Sequence, residues 1–215
     1  TYTSSYVIVE LIRVGKKVGI SSNSHKAINN LLAGIEKAAK MEGVKFKGQK
    51  KSSANNPDSA FNGELIESVS SNDGMDLNSN LIAGTAWLFA RDEFDEVLDY
   101  LFIDEAGQVS LANLVAMGLS TKNIVLVGDQ MQLGQPIQGV HPGLSGMSIL
   151  DYLLESEPTI PPDRGIFLAT TWRMHENVCR FISDAVYDGR LHPEAGNQKQ
   201  SLILSDNAHP ELKES

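Results

Sequence analysis

Five short apolar runs constrain the fold of this 215-residue chain more than any other feature. Each run is too short for a helix, and residues that are apolar without alternation indicate strands buried on both faces, as in a parallel sheet. The stretches between several of the runs have helical periodicity. The sequence therefore predicts an α/β fold, with a mainly parallel sheet and helices on both faces. The runs are Val18–Ile20, Leu81–Ala83, Tyr100–Ile103, Ile124–Val127 and Ile166–Ala169.

Local signals place the first helices and one weakly patterned region. Apolar residues between Tyr2 and Val14 recur near helical spacing, and Ser24 is a candidate N-cap for the next helix. Ser, Asn, Lys, Gly and Asp dominate between Val44 and Asn80. That composition predicts a long surface excursion, with one short helical candidate at Phe61–Val69.

Composition excludes several classes of protein and site. Cys179 is the only cysteine, which excludes an internal disulfide and a multi-cysteine metal site and suits a reducing cytoplasm. We interpret it as a small buried hydrophobe rather than a catalytic thiol. No apolar run approaches the roughly 20 residues that span a bilayer, and no signal peptide leads the chain, so we expect a soluble, cytoplasmic protein. The net charge of −9 argues weakly against a free-standing nucleic-acid binder.

Two adjacent carboxylates follow the third apolar run. Asp104 and Glu105 stand where a parallel strand ends, the edge at which open α/β sheets bind ligands. In a nucleotide-hydrolysing site, an aspartate there holds Mg²⁺ and a neighbouring glutamate takes the proton of the attacking water. An Asp-Glu pair can also simply begin a helix, because the helix dipole favours negative charge there.

Two further motifs have polar groups at comparable junctions. Asp129 and Gln132 follow the fourth run, and a neutral amide can hold a γ-phosphate or a water molecule; a plain turn is the simpler interpretation. Arg173 follows the fifth run and opens a helix. It could reach a γ-phosphate as an arginine finger or pair with a structural carboxylate. His175 beside it is interpreted as a packing or capping residue.

Taken in chain order, these motifs resemble motifs II, III and IV of superfamily-one helicases, closest to the 5′-to-3′ branch. Val18–Leu32 resembles motif Ia, and Leu81–Ala90 resembles the next motif that faces nucleic acid. More narrowly, parts of the chain resemble the AAA-type ATPase core of a bacterial family in which a RecB-like nuclease precedes the helicase. The three motifs are Asp104–Gln108, Gly128–Leu133 and Trp172–His175.

The resemblance implies a RecA-like P-loop NTPase fold that uses ATP and Mg²⁺. Residues 1–164 would form the first RecA-like domain, with the excursion at 44–80, and residues 165–215 would begin the second. Asp104 and Thr1 would hold Mg²⁺, and Glu105 would be the general base. Gln132 and Arg173 would contact the γ-phosphate, whereas Asp129 would support its loop.

The resemblance also implies a nucleic-acid partner, and at one position this chain differs from the family's usual sequence. Ser22, Asn23 and Thr85 match positions that face a single strand, and the suspected nuclease favours DNA over RNA. The family usually has proline after the Met-His pair, where this chain has Glu176 at the expected start of the helix.

The 215 residues contain no Gly-x-x-x-x-Gly-Lys-Ser/Thr sequence. The resemblance aligns Thr1 with the threonine that ends this motif, so we expect a fragment that lacks the Walker A lysine and is itself inactive. The remaining partners would then be the rest of its own chain, namely a second RecA-like domain and an N-terminal nuclease.

Two other functions use the same motifs. A nucleotide-gated clamp or remodelling factor would hydrolyse ATP without separating strands. A small-molecule kinase fits poorly, because it gives the Gln132 and Arg173 motifs no role and the chain shows no acceptor site. Unwinding distinguishes a helicase from a clamp.

Overall fold

The computed structural model describes residues 1–134, 139–155 and 157–201, and the chain divides into two compact units. The first unit is Thr1–Glu155 and the second is Ser156–Ser215. The boundary predicted after residue 164 therefore falls inside the second unit.

A six-stranded sheet with the order β3-β2-β4-β1-β5-β6 organises the first unit, and every neighbouring pair is parallel. The prediction of a parallel α/β sheet is confirmed. Its strands are β1 Val18–Ser21, β2 Gly48–Lys51, β3 Ile66–Val69, β4 Leu81–Gly84, β5 Leu98–Asp104 and β6 Thr121–Val127. The helices are α1 Tyr2–Arg13, α2 His25–Glu42, α3 Ala86–Phe89, α4 Leu111–Gly118 and α5 Ile149–Leu154, with 3-10 turns at Pro57–Ser59, Asp92–Phe94 and Ala106–Gln108.

Two apolar clusters lie on opposite faces of this sheet. One joins α1 and α2 to alternate side chains of the strands, among them Ile20 and Phe102. The other joins the residues that point the opposite way, among them Leu101 and Ile103, to α3, α4 and α5. Because β1 and β4 are buried along their whole length, they tolerate no polar alternation, whereas the outermost strand β6 is exposed or half-buried throughout.

The local signals at α1 and α2 are confirmed. The Ser24 side chain accepts a hydrogen bond from the Ala27 N–H and caps α2. Gly43 ends α2 in the left-handed region, at φ 66°, which glycine adopts without a steric penalty. α1 ends at Arg13, just before Gly15.

Residues 44–80 differ from the predicted surface excursion, because they contribute β2 and β3 to the sheet. The helical candidate at Phe61–Val69 is wrong: its second half is β3. Side-chain hydrogen bonds make this polar sequence compatible with a sheet. The carboxylate of Glu36 accepts hydrogen bonds from the backbone N–H groups of three successive residues that lead into β3. Buried Gln49 donates to Glu67 at 2.7 Å and accepts from the Asp76 N–H at 2.6 Å.

The second unit contains β7 Thr170–Thr171, α6 Glu176–Val186, β8 His192–Pro193 and a 3-10 turn at Ala195–Lys199. The strand predicted at Ile166–Ala169 is wrong, since β7 begins only at Thr170, where a parallel partner, β8, is available. Cys179 is buried as predicted, and burial raises the pKa of its thiol, which disfavours the reactive thiolate. Within the residues described, no helix is both long and apolar enough to cross a membrane.

Candidate nucleotide-hydrolysis site

The carboxyl ends of β5 and β6 bring two of the sequence motifs together. Asp104, the last residue of β5, pairs in register with Val127, the last residue of β6. Asp104-Glu105 and Gly128-Asp129 therefore leave neighbouring strands at the same edge of the sheet. The prediction that both motifs follow strand ends at the ligand-binding edge of the sheet agrees with this register.

Asp104 is a buried carboxylate. The residue is 8% exposed, and burial raises the pKa of its carboxyl, an effect that a hydrogen bond from the Glu105 N–H opposes. Mg²⁺ binds through one or two carboxylates together with phosphate and water oxygens. A buried aspartate at the carboxyl end of a parallel strand fits such an ion, and the roles of Asp104 and Thr1 as ligands stay predictions.

Glu105 has an uncommon backbone conformation. Its φ of 55° and ψ of 44° lie in the left-handed region, which costs a non-glycine residue on the order of 1 kcal/mol. Its carbonyl accepts a hydrogen bond from the Gln108 N–H at 2.8 Å, which closes the 3-10 turn after β5. Glu105 is half-buried, so part of the residue is open to solvent at the edge of the sheet.

Two glycines allow the loops after β5 and β6 to touch. A Cβ atom on Gly107 would stand 2.5 Å from the Asp129 carbonyl oxygen. A Cβ atom on Gly128 would stand 2.7 Å from the Ala106 nitrogen and 3.0 Å from the Gly107 nitrogen. Since all three neighbours are backbone atoms, no side-chain rotation could make room. The contact therefore fixes the distance between the two loops.

Asp129 organises the loop after β6. Its carboxylate accepts hydrogen bonds from the Met131 N–H at 3.0 Å and from the Gln132 side-chain amide at 3.1 Å. These contacts agree with a supporting role for Asp129. Gln132 is exposed, and its amide is held at the loop by Asp129. A γ-phosphate contact by Gln132 stays a prediction.

The residues predicted to face a single strand lie in different environments. Ser22 is buried, and its hydroxyl accepts a hydrogen bond from the Ser24 N–H. The Asn23 amide donates to the Gln108 carbonyl, which ties the loop after β1 to the loop after β5. Thr85 is half-buried at the start of α3. Their contacts with nucleic acid stay predictions.

Arg173 belongs to the second unit, where its side chain is exposed. Its N–H donates to the Thr171 hydroxyl at 3.3 Å, and its carbonyl accepts from the Gln200 amide at 3.3 Å. α6 begins at Glu176, and His175 Nδ1 accepts the Asn177 N–H at 3.2 Å. The capping role of His175 is confirmed, and Glu176 takes the first helical position without proline.

Sequence reasoning missed Trp87 and Lys50. Trp87 is 86% exposed on α3, between residues that are buried. Lys50 is fully buried in β2. The position of Trp87, two residues after Thr85, was a signal in the sequence. Lys50 carried no signal, because its side-chain partner His25 lies 25 residues away and its other contacts are backbone carbonyls.

Comparisons with known proteins extend these observations. A family model described as an AAA domain matches residues 49–136. DNA polymerase alpha-associated DNA helicase A of Schizosaccharomyces pombe is 31% identical over 109 residues, which cover 51% of this chain and 16% of that protein. The DNA replication ATP-dependent helicase/nuclease DNA2 of Gallus gallus is 27% identical over 212 residues, which cover 90% of this chain and 20% of that protein.

A solved structure supports the same relationship at the level of fold. The arterivirus nonstructural protein 10 (helicase), determined with DNA, has a TM-score of 0.54 and 13% identity, over 95% of this chain and 41% of that one. With the parallel sheet, this similarity confirms the RecA-like P-loop NTPase fold. The sequence matches support a relationship of this chain to helicases. The chain spans only a fifth or less of the two relatives' length.

Proposed function

We propose that this chain forms part of the ATP-hydrolysing motor of a helicase that moves on single-stranded DNA. The observation that carries the proposal is the junction of β5 and β6. There buried Asp104 and half-buried Glu105 stand beside the loop that holds Gln132. Adjacent parallel strands deliver all three to one edge of the sheet.

Each residue at this junction has a distinct role in the proposed reaction. Asp104, with the hydroxyl of Thr1, would hold Mg²⁺, which neutralises phosphate charge when it is bound. Glu105 would accept the proton of the attacking water, and Gln132 would exchange Asp129 for the γ-phosphate or the water. Arg173, on the second unit, would contact the γ-phosphate as an arginine finger. Asp129 would keep the loop in place.

A hydrogen bond gives strand binding a route to the hydrolytic loop. Asn23, which we propose faces the strand with Ser22 and Thr85, donates to the carbonyl of Gln108. Gln108 in turn closes the turn that begins at Glu105. A change in the loop after β1 would therefore reach the turn that carries the general base without crossing the core.

The proposed partners rest on the relatives and on the motifs. The names of the two relatives, a DNA helicase and a DNA replication helicase/nuclease, favour DNA over RNA and favour a nuclease in the same protein. The protein would also supply a second RecA-like domain and a phosphate-binding loop. Because the 215 residues contain no Walker A lysine, we propose that they hydrolyse ATP poorly by themselves.

The test is strand-stimulated ATP hydrolysis by the protein that joins this chain to a phosphate-binding loop and a second RecA-like domain. Wild type is compared with Glu105→Gln, with single-stranded DNA and RNA supplied separately. We expect DNA to stimulate turnover and the substitution to lower it at least roughly a hundredfold, as loss of a general base implies.

Glu96→Gln is a matched control for this substitution. Glu96 is also a glutamate in the left-handed region, at φ 51°, but it precedes β5 and is exposed at the other edge of the sheet. The Glu96→Gln variant should hydrolyse ATP at the wild-type rate. If Glu105→Gln kept the wild-type turnover, Glu105 would not be the general base. Stimulated turnover without strand displacement would favour the nucleotide-gated clamp.

A further inference from the structure

A cavity of about 380 Å³ lies at the carboxyl edge of the sheet, among the segments that follow β1, β2, β3 and β4. It belongs entirely to the first unit and lacks the residues of the hydrolytic junction. His25, Lys51, Thr85, Trp87 and Arg91 are among the residues that line it. Its volume lies in the range of pockets that bind small ligands or single residues of larger ones.

Trp87 gives this cavity an aromatic wall that is open to solvent. It is 86% exposed, although its neighbours Ala86, Leu88 and Phe89 are buried in the core. α3 is therefore anchored by three side chains and presents the fourth outward. An indole held on an anchored turn offers a flat surface with little freedom to lose on binding, as a stacking platform for a base requires.

The cavity is cationic, although the chain has a net charge of −9. Lys51 and Arg91 line it, and none of its lining residues is a carboxylate. The Lys51 ammonium donates to the carbonyls of Ser52 at 2.7 Å and Ser70 at 2.6 Å, which holds its charge at the rim. Arg91 is paired through Nε with Glu93, which offsets part of its charge. An anionic ligand is favoured here over a cationic one.

Buried Lys50 determines which nitrogen of His25 carries the proton. The Lys50 Nζ lies 3.2 Å from His25 Nδ1 and also contacts the Ser59 and Lys51 carbonyls. An ammonium group can only donate, so Nδ1 must accept, and the neutral ring carries its proton on Nε2. Burial lowers the pKa of His25, as do the charges of Lys50 and Lys51, so the ring is neutral. His25 thus presents an uncharged donor at the cavity.

We infer that this cavity binds one nucleotide of a single strand, with the base stacked on Trp87 and the adjoining phosphates held by Lys51 and Arg91. The Nε2–H of His25 donates a hydrogen bond to the same nucleotide, and Lys50 is a positioning residue for it. This inference rests on the proposed function, because it specifies where the motor holds its strand. Stacking accepts any base, so the subsite has little sequence preference.

The test uses the 215-residue chain with Trp172→Phe, which leaves Trp87 as the only tryptophan. Twelve-residue oligothymidylate is titrated while tryptophan emission is followed, and its affinity is measured separately by anisotropy of a labelled oligonucleotide. Inorganic tripolyphosphate is the probe without bases. We expect oligothymidylate to quench the emission to saturation, and tripolyphosphate to compete for binding without quenching.

Substitutions separate the parts of the subsite. Trp87→Ala should weaken oligothymidylate binding roughly five- to a hundredfold, and Trp87→Phe should restore most of the affinity. Because Trp87 is largely exposed, its truncation should leave the urea midpoint unchanged. Lys51→Gln should reduce the slope of log affinity against log salt by about 0.7, as expected for one lost contact with a single strand. Lys40→Gln, an exposed lysine of α2 outside the cavity, should leave the slope unchanged.

Each contrary result has a distinct meaning. Wild-type affinity in Trp87→Ala, with an unchanged salt slope in Lys51→Gln, would overturn the subsite while strand binding by the chain stands. Equal quenching by tripolyphosphate would reduce the cavity to an anion site and overturn base stacking. If oligothymidylate did not bind the wild-type chain at all, the subsite would be overturned, whereas the proposed function would still be decided by strand-stimulated ATP hydrolysis of the longer protein.

Discussion

Gly128→Ala tests whether the contact between the loops after β5 and β6 holds the candidate site together. The added Cβ atom would meet two backbone nitrogens, of Ala106 and Gly107, at 2.7 and 3.0 Å, and the Cδ1 of Leu150 at 3.1 Å. Cβ contacts below 3.0 Å force a displacement, and two of these neighbours are backbone. Overpacking of a closely packed position costs about 1–3 kcal/mol, so we expect that loss in the free energy of unfolding.

Urea denaturation of the chain, followed by fluorescence, measures this loss as a shift of the midpoint at constant slope. Gly134→Ala is the matched control, because a Cβ atom there would meet none of the described residues within 4 Å. It should change the free energy of unfolding by less than about 0.5 kcal/mol. If Gly128→Ala were as stable as Gly134→Ala, the two loops would not be in the close contact described.

The double substitution sharpens the prediction. Gly107→Ala would place its Cβ atom 2.5 Å from the Asp129 carbonyl oxygen, across the same loop contact. Once either alanine has separated the loops, the other has less to displace. Together they should therefore cost less than the sum of the two single losses, by at least about 0.5 kcal/mol. Strict additivity would indicate that each glycine relieves an independent clash.

Three further predictions concern stability. Burial lowers the pKa of Lys50 to about 8, below its unfolded value of 10.5, so the unfolded chain holds more protons than the folded chain between those pH values. The free energy of unfolding should therefore rise from pH 8 to pH 10.5, by on the order of 3 kcal/mol. Urea midpoints of the wild type should show this rise, and those of Lys50→Met should lack it. Burial raises the pKa of Asp104, so the folded chain holds the Asp104 proton more tightly than the unfolded chain, and ionisation of Asp104 destabilises the fold as pH rises. Asp104→Asn should therefore raise the melting temperature at pH 7. An unchanged melting temperature would contradict this prediction. Ser24→Ala removes the cap of α2 and should lower the free energy of unfolding, measured by urea denaturation, by about 0.5–1 kcal/mol. This is the low end of the effect of a lost cap, because the hydrogen bond from the Ala27 N–H is 3.4 Å long. An unaltered midpoint would show that the cap contributes nothing.

The sequence predicted the centre of the sheet because that centre is uniformly apolar. β1, β4 and β5 are buried, and no polar interpretation of them was available. β2 was missed because Gln49 and Lys50 are polar and yet buried. Their hydrogen bonds reach Glu67 and His25, partners that no local pattern reveals. The apolar run at Ile166–Ala169 was overestimated, since a run becomes a strand only where a partner pairs with it.

The candidate site was predicted in part for the same reason. The rule that parallel strands end at one edge was sufficient to bring Asp104 and Glu105 near Asp129. The left-handed backbone of Glu105 could not be predicted, because glycine and asparagine are the residues expected there. The cavity beside Trp87 could not be predicted from the sequence either, because it forms where the segments after several strands come together.

The order of the strands has a consequence for how the first unit folds. β1 lies in the middle of the sheet, yet Val18 pairs with Leu81 on one side and with Tyr100 on the other. No strand of the sheet pairs with its immediate successor in the chain except β2 with β3 and β5 with β6. Chains dominated by such distant pairings fold slowly, because the entropy of closing long loops is lost before the contacts form. During synthesis, β1 can therefore pair first with β4, and its other edge stays unpaired until β5 has left the ribosome.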